Sequence, residues 1–152
     1  MSYTTAEGKE RILDDLAEAT DQLALAVARL GEAYELLDER HGDELEQVLF
    51  RPVQLAYGRA QRTHSEFARR SGIPGRQFDQ QSPGLASQSA RELIEGGAEA
   101  AEAADQVIGD LQDSMLPVEV GDPELRAGLA EVRRLIADVP ARSLDVIRTV
   151  GR

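Results

Sequence analysis

The sequence predicts an all-α protein: an antiparallel up-down-up-down bundle of four long helices, with residues 1–152 forming one domain. Three observations carry that expectation. Apolar residues recur at three- and four-residue spacing through four long stretches. Aromatic residues make up only 4% of the chain and tryptophan is absent, so the core must come from Ala, Leu, Ile and Val packed between helices. Charge also changes sign in step with the stretches. Residues 1–46 hold thirteen Asp/Glu against four Lys/Arg, and 47–81 hold two against six. Residues 82–122 hold nine against one, and 123–152 hold four against six, within a total of −11. Blocks of alternating sign fit a bundle in which every acidic helix lies beside two basic ones. Each exposed pair would contribute only ~0–1 kcal/mol, but opposite signs on neighbours still favour that topology over others.

The first helix is expected over about 5–40. Thr4-Thr5-Ala6-Glu7 has the capping-box form, with Thr4 as N-cap. A seam follows through Leu13, Leu16, Thr20, Leu23, Val27, Leu30, Tyr34 and Leu37. Leu16, Leu23, Leu30 and Leu37 fall every seventh residue, as in a leucine zipper. Ala17, Ala24 and Gly31 flank that seam on one side, and Ile12, Ala19, Ala26 and Ala33 on the other. A two-stranded zipper carries charges at those positions, whereas small apolar flanks widen the buried face for two neighbours.

His41-Gly42-Asp43 then predicts a tight turn, with Asp43 capping a second helix over about 44–70 and Glu46 at its third position. That helix presents Leu45, Leu49, Pro52, Ala56, Ala60, Thr63 and Phe67. Pro52 either kinks it or marks its first turn, in which case the first helix would continue to about Phe50. A Pro/Gly/Gln-rich connection over about 71–83 leads to Ser82-Pro83, expected as N-cap and first residue of a third helix over 83–114. Its seam runs Ala86, Ala90, Leu93, Gly97, Ala100, Ala104, Val107 and Leu111, small in the middle where a neighbouring backbone must come close. Met115 to Gly121 is expected as an extended connection, and Asp122-Pro123 as the start of a fourth helix to 150. The spacing Leu125, Leu129, Val132, Ile136, Val139, Ser143, Val146, Val150 survives Pro140, which predicts one kinked helix.

Chemistry is sparse. No cysteine is present, which excludes disulfides and a thiolate nucleophile and fits a reducing cytoplasm. The N-terminal Met1-Ser2-Tyr3-Thr4-Thr5 is polar, without the apolar core of an export signal, and no stretch approaches a membrane span. Sixteen of the seventeen basic residues are arginine, with Lys9 the exception, a bias that suggests a GC-rich bacterial genome. The histidines are His41 and His64, preceded three residues earlier by Asp38 and Gln61. That falls short of the paired Glu-x-x-His of bundle di-iron sites, so two surface histidines, no metal and no cofactor are expected. Nucleophile elbows and phosphate loops are missing, since Gly72-Ile73-Pro74-Gly75-Arg76 lacks the Lys-Ser/Thr ending. No catalytic residue is assigned.

Binding has more to stand on. Leu25 and Leu36 occupy outer heptad positions eleven residues apart and predict a contact with another protein or with a second copy. Arg76 and Phe78 mark the 71–83 connection as a second candidate contact. Arg59, Arg62, Arg69 and Arg70 of the second helix are candidates for an acidic ligand or nucleic acid. Their competing role is to complement the acidic helices, and the strongly negative total disfavours nucleic acid and anionic membranes. Tyr34 and Asp38 resemble, in those two residues, the tyrosine-acidic signal of actinobacterial type VII secretion substrates. His41-Gly42-Asp43 lacks the Trp-x-Gly that accompanies that signal, so no family is assigned. The resulting expectation is a non-catalytic interaction or scaffold bundle.

Overall fold

Helix α1 covers Thr5–Leu36 and buries the expected seam: Ile12, Leu16, Leu23 and Leu30 are fully enclosed. The computed structural model describes residues 5–150; every regular element among them is helical, and the Thr4 cap lies outside that range. Chain reversal falls at Leu37-Asp38, earlier than the sequence suggests. Asp38 caps α2 (Glu39–Leu45) by accepting the His41 backbone N–H at 3.1 Å, so His41, Gly42 and Asp43 are already helical. Gly42 serves packing here. A Cβ on it would stand 3.2 Å from the Tyr34 ring, so the glycine lets the two helices close at their junction.

Helical backbone continues through a π turn, Glu46–Phe50, into α3 (Arg51–Ser71). The Arg51 N–H reaches back to the Glu46 carbonyl, and Phe50 and Arg51 keep right-handed helical angles. Pro52 has no N–H to offer, and the wider π turn just before it takes up the misfit without ending the helix. This excludes a first helix running to Phe50. Gly72, at φ 69°, closes α3 in a Schellman motif, with Ile73 N–H on the Ala68 carbonyl and Gly72 N–H on the Arg69 carbonyl.

Helix α4 is Ala90–Asp113, starting seven residues later than expected. Ser82-Pro83 instead forms a turn: Gly84 adopts φ 115° and donates its N–H to the Ser82 hydroxyl. The helix starts at Ser89, which accepts the Glu92 N–H at 3.1 Å while Glu92 accepts the Ser89 N–H at 3.0 Å. Ala86 is thereby left exposed in the connection, outside the seam. Met115–Gly121 is not extended either, because Leu116–Val120 forms the short helix α5 between left-handed Met115 and Gly121. Asp122 caps α6 (Pro123–Ile136) through the Leu125 N–H at 2.9 Å. The expected continuous fourth helix is interrupted at Ala137-Asp138, and α7 takes up Val139–Val150. Pro140 cannot bond the Ile136 carbonyl and crowds it, which places the interruption just there.

The helices pack on one another as a closed set of neighbours. α1 lies on α4 and α3, α3 on α6, and α4 on α6 and α7, whereas α3 and α4 do not form a packed pair. Gly97 of α4 sits against Leu30 of α1, and Gly109 lies beside Arg133 of α6. Arg70 near the end of α3 bonds Asp122 at the start of α6, and Thr149 near the end of α7 bonds Glu44 of α2. The second and third long segments are therefore not neighbours, and residues 72–89 carry the chain between them. Eighteen residues at up to ~3.3 Å each suffice to travel the length of such a helix.

This neighbour order revises the charge argument. α1 carries eight Asp/Glu against three Lys/Arg and α4 seven against one, and these two acidic helices share the most extensive contact in the molecule. α3 carries five arginines against one glutamate and packs on α6, itself arginine-bearing. α1 lies beside one acidic and one basic helix, and α4 beside acidic α1 and the weakly basic α6 and α7, so neither has only basic neighbours.

Candidate interaction surfaces

The α3 arginines divide by the geometry of the helix. Val53, Ala56, Ala60, His64 and Phe67 face inward. One turn round, Arg70 is clamped by Asp122 in two hydrogen bonds of 2.9 Å and by Glu124 at 3.1 Å. Burial pushes the Asp122 carboxyl up, but the Arg70 guanidinium and the Leu125 N–H outweigh it and hold the group below the usual carboxylate range. Arg59 faces the same way and its charge acts on Glu131 of α6. Arg62 and Arg69 point outward with Arg51, and among the described residues none of the three forms an ion pair. Leu55, 55% exposed, lies on that stripe, with spacing 51-55-58-62-65-69 that keeps one face of a helix. Of the four arginines singled out in the sequence, Arg70 is thus structural, Arg59 borders α6, and Arg62 and Arg69 are displayed with Arg51.

The leucine pair of α1 separates. Leu36 is 53% exposed, but Leu25 is partly buried against the core, so the two do not form one open patch.

Arg76 and Phe78 do come together with a residue that the sequence reading placed on the surface. His64 is buried, at 3% exposure, between α3, α1 and the connection 72–89. Phe78 meets its ring edge-to-face at 5.2 Å between centroids, and the Arg76 guanidinium stands 4.7 Å over the Phe78 ring. Arg76 then bonds both carboxylate oxygens of Asp21 on α1 at 2.8 Å. This chain of contacts, Asp21 to Arg76 to Phe78 to His64, pins the long connection across the α1–α3 junction. His64 Nδ1 has no hydrogen-bond partner, and desolvation holds the imidazole below its ordinary pKa against a hydrogen bond that the ring donates to the Leu13 backbone carbonyl and the charge of Asp14. One signal for its burial was present: His64 follows Ala60 by four residues, on the inner face.

Beside this strap opens a cleft of about 610 Å³, with Leu13 and Ala17 of α1 and Ile73 and Pro74 of the connection in its walls. Glu10, Asp14, Glu18 and Asp21 line its α1 side. A smaller groove of about 250 Å³ lies where Val48, Leu55 and Leu135 meet Arg51, Arg134 and Arg142. Arg134 is paired with Glu131 at 2.7 Å and Arg142 with Asp138 at 3.6 Å. His41, the other histidine, bonds Asp38 through Nδ1 at 2.6 Å at the head of α2.

No group of three or more His, Cys, Asp or Glu among the described residues is arranged to hold a metal ion, and no helix is long and apolar enough to cross a membrane. No protein-family model, curated protein or solved structure matches the chain.

Proposed function

We propose that the protein is a non-catalytic interaction module: a four-helix bundle that docks an acidic protein partner on the outer face of α3. The observation that carries this is the row Arg51, Arg62 and Arg69, three exposed cations without ion pairs among the described residues, with exposed Leu55 between them. Arginine with an apolar anchor is the composition of protein contact surfaces, since its guanidinium binds carboxylates bidentately and its stem covers apolar area. A protein partner accounts for the leucine, and the −11 net charge repels the long polyanion that a purely phosphate-binding surface would need.

A second copy of the chain is the other reading, favoured by the fifteen Asp/Glu on α1 and α4, which offer the complementary sign on the same molecule. Leu36 at the end of α1 would add apolar area to that contact.

Affinity capture from the native cell with wild type and with Arg51→Glu/Arg62→Glu/Arg69→Glu tests the proposal. The expected result is an acidic protein retained by wild type and lost by the variant. Its purified complex should weaken steeply between about 50 and 200 mM salt. Binding of a random-sequence DNA duplex instead would favour the phosphate reading, and retention of the same partner by the variant would remove α3 from the interface. Sedimentation of the purified chain decides self-association: a dimer that dissociates in the same variant supports the second copy as partner.

A further inference from the structure

We propose that the connection 72–89 is an acid-released strap: protonation of His64 lifts its Phe78 stretch off the α1–α3 junction while the helices stay packed. That stretch is placed to move alone. From Gly75 to Ser82 every residue is exposed except the partly buried Phe78. It is held by the Phe78 ring on His64, at 5.2 Å between centroids, and by Arg76, which stands over Phe78 and reaches Asp21. His64, by contrast, is 3% exposed, on a helix anchored by fully enclosed Val53, Ala56 and Ala60. Surface contacts fix the strap and core contacts fix the helices, so the strap is the part that opens at least cost.

The closed arrangement suits only the neutral ring. The imidazole donates one hydrogen bond to the Leu13 carbonyl, and its Nδ1 is buried without a partner. Protonation turns that idle acceptor into a charged N–H with nothing enclosed beside it to accept, which costs far more. The surrounding charges do not compensate. On α1, Asp14 favours the proton, Asp21 is taken by Arg76, and Glu10 and Glu18 stand along the neighbouring cleft. Arg76 of the connection opposes the proton, and on α3 the residues one turn away, Ala60, Gln61, Phe67 and Ala68, are uncharged. With the strap lifted, water reaches the ring and its pKa returns to the ordinary value of 6.5, above that of the closed state. The opening constant is therefore flat above that pH. Below it, opening rises up to tenfold per pH unit and levels off beneath the lowered closed-state value.

Fluorine NMR of the chain labelled with 4-fluorophenylalanine tests this between about pH 8 and pH 5, because Phe50, Phe67 and Phe78 give one signal each. The Phe78 signal should move toward the position of a solvated ring as pH falls below about 6.5, while Phe50 and Phe67 hold still. The His64 ring, assigned with His41→Gln, should titrate at the same midpoint. Asp21→Asn removes the Arg76 anchor and should move that midpoint up. In His64→Gln the Phe78 signal should no longer respond to pH. A Phe78 signal unmoved at pH 5, movement of all three signals together, His64 titration without Phe78, or an undiminished transition in His64→Gln would overturn the proposal.

Discussion

The α1–α4 pair and the α3–α6 pair are both close helix contacts, yet they are held together by different means. α1 and α4 are both acidic; they meet where Gly97 lies against Leu30 and Ala26, with one hydrogen bond from Arg29 to the Gly96 carbonyl at 2.9 Å and no ion pair across the contact among the described residues. α3 and α6 also meet at a glycine, Gly128 under Thr63, but add the Arg70 clamp on Asp122 and Glu124. The comparison shows which effect decides helix order here. Each buried leucine contributes ~1.5–3 kcal/mol, whereas each exposed charge pair is worth ~0–1 kcal/mol of either sign. Two acidic helices can therefore adjoin when their small residues fit, because none of their carboxylates is buried in the core. Charge then labels the surfaces the packing leaves over.

The largest way to break that contrast is at the glycines. A Cβ on Gly97 would stand 2.8 Å from Leu30 Cγ and Cδ2, and one on Gly128 would collide with Thr63. Gly97→Leu should cost ~1–3 kcal/mol or more by overpacking, read as a lowered denaturant midpoint, and Gly128→Leu should cost a similar amount. An unchanged midpoint in either variant would mean that its interface is looser than described.

The clamp separates the two pairs. Asp122→Ala removes both the α6 cap and the Arg70 partner and should cost ~0.5–2 kcal/mol. Because the folded Asp122 pKa is lowered, its contribution should be complete above the unfolded value of about 3.9 and fade as pH falls through the lower folded value. Thermal melts between pH 6 and pH 2 should show a smaller acid-induced loss in Asp122→Ala than in wild type. Equal loss would assign acid sensitivity elsewhere.

The two leucines of α1 sharpen the surface side of the comparison. Leu25→Asp should cost about 1 kcal/mol because Leu25 packs partly on the core, and Leu36→Asp should leave the midpoint within ~0.5 kcal/mol. Equal effects would place both leucines in one environment. Smallest of all should be Arg62→Glu/Arg69→Glu, which breaks no ion pair among the described residues and should shift the midpoint by less than about 0.5 kcal/mol. A large destabilisation would show that these arginines complement the acidic helices after all.

Helical class and most of the core could be read from three- and four-residue spacing, since Leu16, Leu23, Leu30, Ala100, Ala104 and Leu129 are all buried. Boundaries were less legible wherever two signals competed. Gly42 reads as a breaker but is required by the Tyr34 ring, and Ser82-Pro83 competes with Ser89-x-x-Glu92, where reciprocal capping wins. Helix order was not legible, because spacing identifies an apolar face without naming its partner. The unusual length of the 72–89 connection was the available hint, as a sequential bundle needs only a short turn there. At the surface, the sequence marks Arg76 and Phe78 as a candidate contact, and the contacts they make in the structure are internal, with Asp21 and His64; the burial of His64 was not legible beside its seam neighbours Ala60 and Phe67.

Helix order is the central claim, and the absence of native cysteine makes it directly measurable. Spin labels on Glu32→Cys and Glu95→Cys, both at exposed positions, would report the distance between the end of α1 and the start of α4. With Leu30 against Gly97, the expected separation is roughly 10–20 Å, one interhelical spacing plus the labels. In a sequential up-down-up-down bundle those positions would lie at opposite ends, roughly 30–40 Å apart, and a distribution centred there would contradict the account.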